Sequence, residues 1–585
     1  MRHIYQTTCL MALMIPFLYG CSESETPKIT CNPNAVPHQR STVDESNCIQ
    51  INLSSPSVSN ADITIEQETG ELEIKIKSLS AVCLNLSGSY DGGVRIKNSN
   101  NIDVDLILNN VTITSNSHPG YLKLNSGNDN WGNTYLVKLV GTSSITGASS
   151  EASKKVLSVE PNLALTGDGT LNINAKYKTG IGCDDIVTVY SGNINITLDR
   201  AAASKTSGYA EKGFGIKAIN GFVLKGGNIN ISANDNITGY ESRGIKVDGS
   251  DATSCHTGKG YIRIEGGSQT IHSDAKAMTA GWEASEDATT NDTSDDPIPD
   301  VTISGGTLNL TTTGTPRENN TNSLSPEGIE GKHNITISGG EFIVNTTDDG
   351  IQAGNILTIS GGKIFVQATK NDAIDANGSI LISGGKTLAL GASEPEGGLD
   401  ADNNNKVNYT GGLIVAIGGA NNAPQGNATT KSFVSTSLST NSSSNTPGGP
   451  GGPGGMGGSS ALAGVTLALT ADGSTDVIAA AKPPATYVGG TNILILAESI
   501  TSGSNYSIYT NPVLSPATAN WFNDALLLDD ATLTGDTSTS VTAGVATGGM
   551  GGGPGGGGDP DGPGGGGNPG GPGTPGGGMP SKPGE

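Results

Sequence analysis

Two hexapeptides in the second half of the chain are near-repeats, and each carries two carboxylates. Asp348-Asp349-Gly350-Ile351-Gln352-Ala353 returns 23 residues later as Asn371-Asp372-Ala373-Ile374-Asp375-Ala376. Ile359-Ser360-Gly361-Gly362 likewise returns as Ile382-Ser383-Gly384-Gly385, and Glu327, Glu330, Glu396, Asp400 and Asp402 lie around them. Carboxylates repeated at a fixed period become a spatial row when that period is one coil of a solenoid, whose stacked strands are about 4.7 to 4.9 Å apart. Two such charges about 5 Å apart repel by roughly 3 kcal/mol at an effective dielectric of about 20. A row of them needs neutralising. A hard cation with several oxygen ligands, Ca2+, suits the set Glu327, Glu330, Asp348, Asp349, Asp372, Asp375, Asp400 and Asp402. A solvated acidic face with raised carboxyl pKa values is the competing reading. Asp184 with Asp185 is a weaker second candidate.

The elements that would position this row are legible from the same repeat. Its Gly-Ile-x-Ala unit, or a variant, recurs at Gly180, Gly215, Gly244, Ala277, Gly328, Gly350, Ala373 and Gly398, with spacings of 35, 29, 33, 51, 22, 23 and 25 residues. A minimum period near 22 with variable insertions predicts a parallel β-helix. Between units come alternating segments such as Ile356-Leu357-Thr358-Ile359 and Lys363-Ile364-Phe365-Val366, separated by Ser-Gly-Gly corners where glycine supplies positive φ. Weaker coils are expected around Gly93–Ile96, Leu136–Leu139 and Val156–Val159, so the all-β solenoid spans about residues 60–420.

If the Ile of each unit points inward, the next residue points outward. That column reads Gly182, Lys217, Lys246, Thr279, Glu330, Gln352, Asp375, Asp400. The residue before each unit reads Thr179, Phe214, Arg243, Lys276, Glu327, Asp349, Asp372, Gly397. One edge of the solenoid is therefore expected to change from basic to acidic.

Composition agrees with short strands and tight turns: 87 glycines, 4% aromatic and 15% charged residues in 585. The formal charge of −23, from 55 acidic and 32 basic residues, argues against nucleic acid and anionic membranes as partners. The first 21 residues have a basic start, an apolar run from Cys9 to Tyr19, and Leu18-Tyr19-Gly20-Cys21, which resembles a bacterial lipoprotein signal. Cys21 would be lipidated, and the protein exported to the outer membrane or cell surface. In an oxidising compartment Cys31 and Cys48 would close a short loop, and at least one of Cys31, Cys48, Cys83, Cys183 and Cys255 stays free because their number is odd. Residues 22–59 form a linker or cap, 421–460 a Ser/Gly/Pro linker, 461–547 a small β module or cap, and 548–585 a disordered Gly/Pro-rich tail.

The repeated DDGIxA, NDAIDA and ISGG segments, the lipoprotein start and the Gly/Pro-rich end resemble a bacterial family of calcium-bound, carbohydrate-binding β-helix proteins related to polysaccharide lyases. The resemblance implies a right-handed parallel β-helix, calcium at Asp348, Asp349, Asp372, Asp375 and Asp400, and binding of plant cell-wall polysaccharides, including acidic ones. The stretch of roughly 35 residues between Trp282 and Arg317 departs from the compact repeat. Lys217, Arg243, Lys246 and Lys276 are candidates to hold sugar carboxylates, and Phe214 and Tyr240 candidates to stack on sugar rings, with Tyr209 and Tyr261 nearby. The protein is expected to be a monomer. Two other readings stand beside binding: a calcium-dependent lyase using a Lys or Arg base, and a structural adhesin or scaffold.

Overall fold

The computed structural model describes residues 40–126, 133–200, 211–233, 240–249, 260–282, 298–317, 324–401, 407–424, 432–438, 460–516, 524–535 and 538–544. Among these the chain is all-β, and its one helical element is a single 3-10 turn at Glu151–Ser153. The strands form long parallel ladders. Successive coils place one strand in each of three ladders in turn, as in Ile351–Ala353, Leu357–Ile359 and Lys363–Ala368, before Ile374–Ala376 returns to the first.

The first ladder is a 14-stranded sheet. From Glu71–Ile76 it runs through Thr179–Cys183, Glu211–Ala218, Tyr240–Gly249, Met278–Trp282, Ile329–Gly331 and Ile351–Ala353 to Gly397–Ala401, each strand parallel to the next. The second and third ladders share a 25-stranded sheet. They part where the long strands Val82–Asp91 and Val104–Thr114 pair through a register shift after Ser87.

Alternation explains why these segments are strands. In Ile335-Thr336-Ile337 and Leu357-Thr358-Ile359 the aliphatic residues are buried and the threonines face outward, as period two requires. The inward side chains of all three ladders make one continuous core that includes Ile329, Ile351, Ile374, Ile359 and Val366. At the Ser-Gly-Gly corners the second glycine takes the left-handed conformation, as at Gly362 with φ 93° and Gly385 with φ 81°, which a residue with a Cβ adopts only under strain.

Three expectations about organisation are corrected. The segment from Trp282 to Arg317 is not one insertion, because Val301–Ile303 and Thr307–Thr312 lie within it and pair in register with both neighbouring coils. The extra length is divided between the stretches on either side of them. Cys48 bonds Cys83, not Cys31: adjacent parallel strands carry the two cysteines to a Cα separation of 4.5 Å, across 35 residues of sequence. Cys31 lies outside the described residues, and Cys183 is a buried free thiol. Within the expected linker 421–460, Phe433–Ser437 is a strand.

The end of the third ladder is covered. Asn492–Leu496 runs antiparallel to its last strand, Leu413–Gly418, and to Phe433–Ser437. A five-stranded antiparallel sheet built from residues 467–542 lies beside it. Its Leu467, Leu469 and Ile508 pack on Phe365, Leu388 and Val415 of the third ladder. Open ladder edges template aggregation, and this segment occupies one.

Candidate functional site

The outward column read from the repeat is a single row in the structure. Gly182 pairs Lys217, Lys217 pairs Lys246, and the register continues through Thr279, Glu330, Gln352 and Asp375 to Asp400 without interruption. The companion column is aligned in the same way. Thr179 pairs Phe214 and Phe214 pairs Arg243. From there each coil donates a backbone N–H to the next at Lys276, Glu327, Asp349, Asp372 and Gly397. Basic and acidic candidates therefore share one face of the first ladder.

The basic end is charge-compensated by residues that the sequence reading missed. Lys217 and Lys246 converge on one carboxylate, Asp248, at 3.1 and 2.9 Å, and Arg243 donates to Glu241 at 2.9 Å. Burial pushes the Asp248 carboxyl up, but the two lysines outweigh it and hold it below its ordinary value. Asp248 and Glu241 each stand two residues from their partner on the same strand, hence on the same face, and that spacing was the available signal.

The ring candidates do not offer open faces. Phe214 is buried, with Lys217 Nζ 5.4 Å from its ring centroid. Tyr261 is also buried, under the guanidinium of Arg263 at 4.3 Å. Tyr240 begins the strand Tyr240–Gly249. Tyr209, Cys21 and Asp402 lie outside the described residues.

At the junction of the two ends, Lys276 is buried in the row. Its Nζ donates to Glu327 Oε1 at 2.9 Å and Glu330 Oε1 at 2.7 Å, and Lys332 Nζ reaches Glu330 Oε1 at 2.6 Å. Burial favours the neutral acid at both glutamates. At Glu330 the two lysines overcome it and hold the carboxyl well below the usual range. At Glu327 burial, helped by the charge on Glu330, prevails over Lys276 and raises the pKa to about 8. Lysine ammonium groups thus serve as counter-ions for Glu330.

The buried carboxyls of the next two coils are governed by burial and by one another. Asp349 is pushed well above its ordinary value, first by burial and then by Asp375, Glu327, Asp348 and Asp372. Asp372 is raised to about 9 by burial and by Asp400, against the stabilising N–H of Gly397. Backbone and amide donors fix their orientation: Asp372 N donates to Asp349 Oδ1 at 3.1 Å, Gly397 N to Asp372 Oδ1 at 2.5 Å, and Asn371 Nδ2 to Asp348 Oδ1 at 2.9 Å. Asn422 donates to Asp400. Gln352 Oε1, in the row between Glu330 and Asp375, is buried without a hydrogen-bond partner.

An all-oxygen donor set with an orphaned amide oxygen fits a hard cation by chemistry. It is not a closed cage: among the described residues no three His, Cys, Asp or Glu side chains are grouped so as to hold a metal ion.

A family model described as Carbohydrate-binding domain-containing protein matches residues 73–373, more than half of the chain. The chain belongs to that family. The match begins in the first strands of the first ladder and takes in the basic residues, the Lys276 cluster and Asp372. No curated protein matches the chain. A solved structure titled as the polysaccharide lyase-like protein from C. thermocellum, a gadolinium derivative, is similar at 18% identity and a TM-score of 0.30. That match covers 47% of this chain and 98% of that one. The family match takes in the charged row from Gly182 to Gln352 and ends before Asp375 and Asp400.

Proposed function

We propose that this protein is exported, lipid-anchored at Cys21, and binds an acidic polysaccharide of the plant cell-wall type along a calcium-loaded edge of a right-handed parallel β-helix. Carbohydrate binding rests on the family to which residues 73–373 belong. Right-handed winding rests on the general rule that crossovers between parallel strands of one sheet are right-handed in about 98% of cases.

The observation that carries the reading is the row from Lys217 and Lys246 to Asp375 and Asp400. At one end two lysines converge on a single carboxylate, Asp248, and are the groups that would meet sugar carboxylates. At the other, Asp349 and Asp372 are buried acids whose ionised forms are disfavoured by their neighbours. Asp348, Asp349, Asp372, Asp375 and Asp400 would hold the calcium, with Gln352 Oε1 as a neutral donor. Bound calcium supplies the positive charge that lets this end also take a polyanion.

Cleavage does not fit the spacing. Lys246 stands three strands from Asp349 and four from Asp372, roughly 15 to 20 Å, beyond the reach of a base acting beside the cation. Lys276 is nearer, but its ammonium is engaged by two buried carboxylates.

The test is incubation with polygalacturonate, with calcium and with chelator. Retention on the polymer in calcium, without growth of the near-ultraviolet absorbance of an unsaturated uronate, is the expected result. Steady product formation abolished by Lys246→Ala or Lys276→Ala would replace binding by lyase chemistry. Neither retention nor product would favour a scaffold.

A further inference from the structure

Side chains that face outward from a ladder meet water unless another segment lies over them. On the second ladder one outward column reads Leu136, Ala164, Thr188, Val223, Arg263 and Thr302, one residue per coil in unbroken register. The strand neighbours Val137, Leu163, Val187, Leu224 and Ile262 are core, so this column points away from it. Leu136, Ala164, Thr188 and Val223 are nevertheless buried, whereas Arg263 and Thr302 are exposed. Beside the column, Ile186 and Tyr261 join Val223 in a small apolar cluster separate from the main core. A cover therefore lies on this face and ends after Val223.

The first part of the cover is residues 40–46, which cross the face as a strap. Arg40 Nη1 donates to Asp105 Oδ2 at 2.9 Å, Thr166 Oγ1 donates to Ser41 O at 2.7 Å, and Glu45 pairs with Lys138. These contacts flank Leu136 and Ala164. Downstream the strap is tied by Cys48 to Cys83. Upstream it climbs the ladder: Glu45 and Ser41 are four residues apart in sequence and meet adjacent coils, Lys138 and Thr166. Thr188 and Val223 lie one and two coils past Ala164 in the same direction.

We propose that residues 31–39 dock on this face and complete the strap over Thr188, Val223 and the Ile186–Tyr261 cluster. They lie outside the described residues and read Cys-Asn-Pro-Asn-Ala-Val-Pro-His-Gln, with no acid, Lys or Arg. Nine extended residues span roughly 30 Å, and two coils are about 10 Å, so the segment reaches past Val223. Pro33 and Pro37 favour an extended chain, and with Ala35 and Val36 they supply apolar surface for the cluster. Continuity decides the occupant. The cover over Thr188 and Val223 prolongs the one over Leu136 and Ala164, and the chain upstream of Arg40 enters from that side.

Docking has a consequence for presentation, which rests on the anchoring at Cys21 proposed above. Only residues 22–30, roughly 30 Å at full extension, would join the docked segment to the lipid. The second ladder is then the one tied close to the membrane, and the charged row stands on a different ladder.

The experiment is hydrogen–deuterium exchange read by mass spectrometry on the full chain, with photo-crosslinking from a benzophenone-bearing residue in place of Ala35. In wild type the amides of residues 31–39 are expected to exchange about tenfold more slowly than in Val223→Glu, with Ile186–Val189 exchanging alike in both. Val36→Asp leaves the solenoid untouched and should release the segment equally, which keeps the test valid if Val223→Glu misfolds. Thr302→Glu, past the covered stretch of the same column, should leave exchange slow. Crosslinks should reach Ile186–Val189 or Gly221–Leu224. Fast exchange of 31–39 in wild type, no change in either variant, or an equal loss in Thr302→Glu overturns the proposal. So do crosslinks that reach neither strand, and crosslinked dimers would assign the cover to a second copy. Neither readout involves a lipid or a polysaccharide, so failure of those readings leaves this one standing.

Discussion

Lys276 Nζ lies 2.7 Å from Oε1 of Glu330 on the neighbouring strand, and both side chains are buried. The row of carboxylates therefore begins with an internal cation. Removing it leaves Glu330 with Lys332 alone and Glu327 with no partner. Lys276→Met is expected to destabilise the fold by about 3 kcal/mol, the lower end for breaking a buried pair. The midpoint of denaturant unfolding measures it, and Lys276→Met/Glu327→Gln should recover part of the loss.

The acids beyond Lys276 give the metal-free protein an unusual pH dependence. In the unfolded chain their carboxyls titrate at about 4, whereas burial and mutual repulsion raise Asp349 and bring Asp372 to about 9. Between these values the folded state binds more protons than the unfolded one, so stability falls as pH rises from about 4 toward 9. Asp248 has the opposite sign, since its lowered pKa costs stability only as pH falls below the ordinary carboxyl range. Melting temperatures in chelator should decline across pH 5 to 9, as a range of about four units. A rise over that window would contradict the assignment.

Calcium should flatten that decline and raise the melting temperature at neutral pH. Binding to the native state alone adds about 2.7 kcal/mol at a hundredfold excess over the dissociation constant. Asp372→Asn and Asp375→Asn each remove one carboxyl from the same coil of the row. Each is expected to shrink the calcium-induced shift while raising the melting temperature in chelator. Equal shifts in wild type and both variants would place the cation elsewhere.

The register of the row was legible because the Ile of each unit is buried, so a one-residue slip would expose it. Gly182 through Asp400 could thus be aligned from sequence alone, and the all-β parallel stacking followed from the same period. The neutralising partners were not legible by that route. Asp248, Glu241 and Lys332 lie outside the repeated hexapeptide, and only the same-face spacing of two residues points to them. Whether Phe214 and Tyr261 pack or stand open was not legible either, because aromatic type does not reveal that Lys217 and Arg263 cover them. Cys48 pairs Cys83 because two parallel strands align them, a relation that sequence proximity to Cys31 obscures.

The disulfide offers a further check on that correction. Cys48 and Cys83 close a loop of 35 residues, for which the chain-entropy argument gives stabilisation of about 2 to 4 kcal/mol. Cys83→Ala should lower the unfolding midpoint by that amount, and Cys31→Ala should not.

The glycine of the repeat makes the last prediction, because it links packing to the row. A Cβ at Gly350 would stand 2.0 Å from Val366 Cγ1 and 2.4 Å from the carbonyl oxygen of Ala373. Val366 is core and Ala373 O is the acceptor for Ile351 N, so neither can yield without opening the ladder. Gly473 provides the contrast, with φ 74° and nothing within 4 Å of a Cβ. Gly473→Ala should cost only the left-handed penalty, about 1 to 2 kcal/mol. Gly350→Ala should cost about 3 kcal/mol or more through overpacking. It should also displace Asp349, its chain neighbour, and so reduce the calcium-induced shift, which Gly473→Ala leaves intact. Melting curves of the two variants in calcium and in chelator separate these effects. Equal calcium shifts in both would mean that Asp349 takes no part in holding the ion.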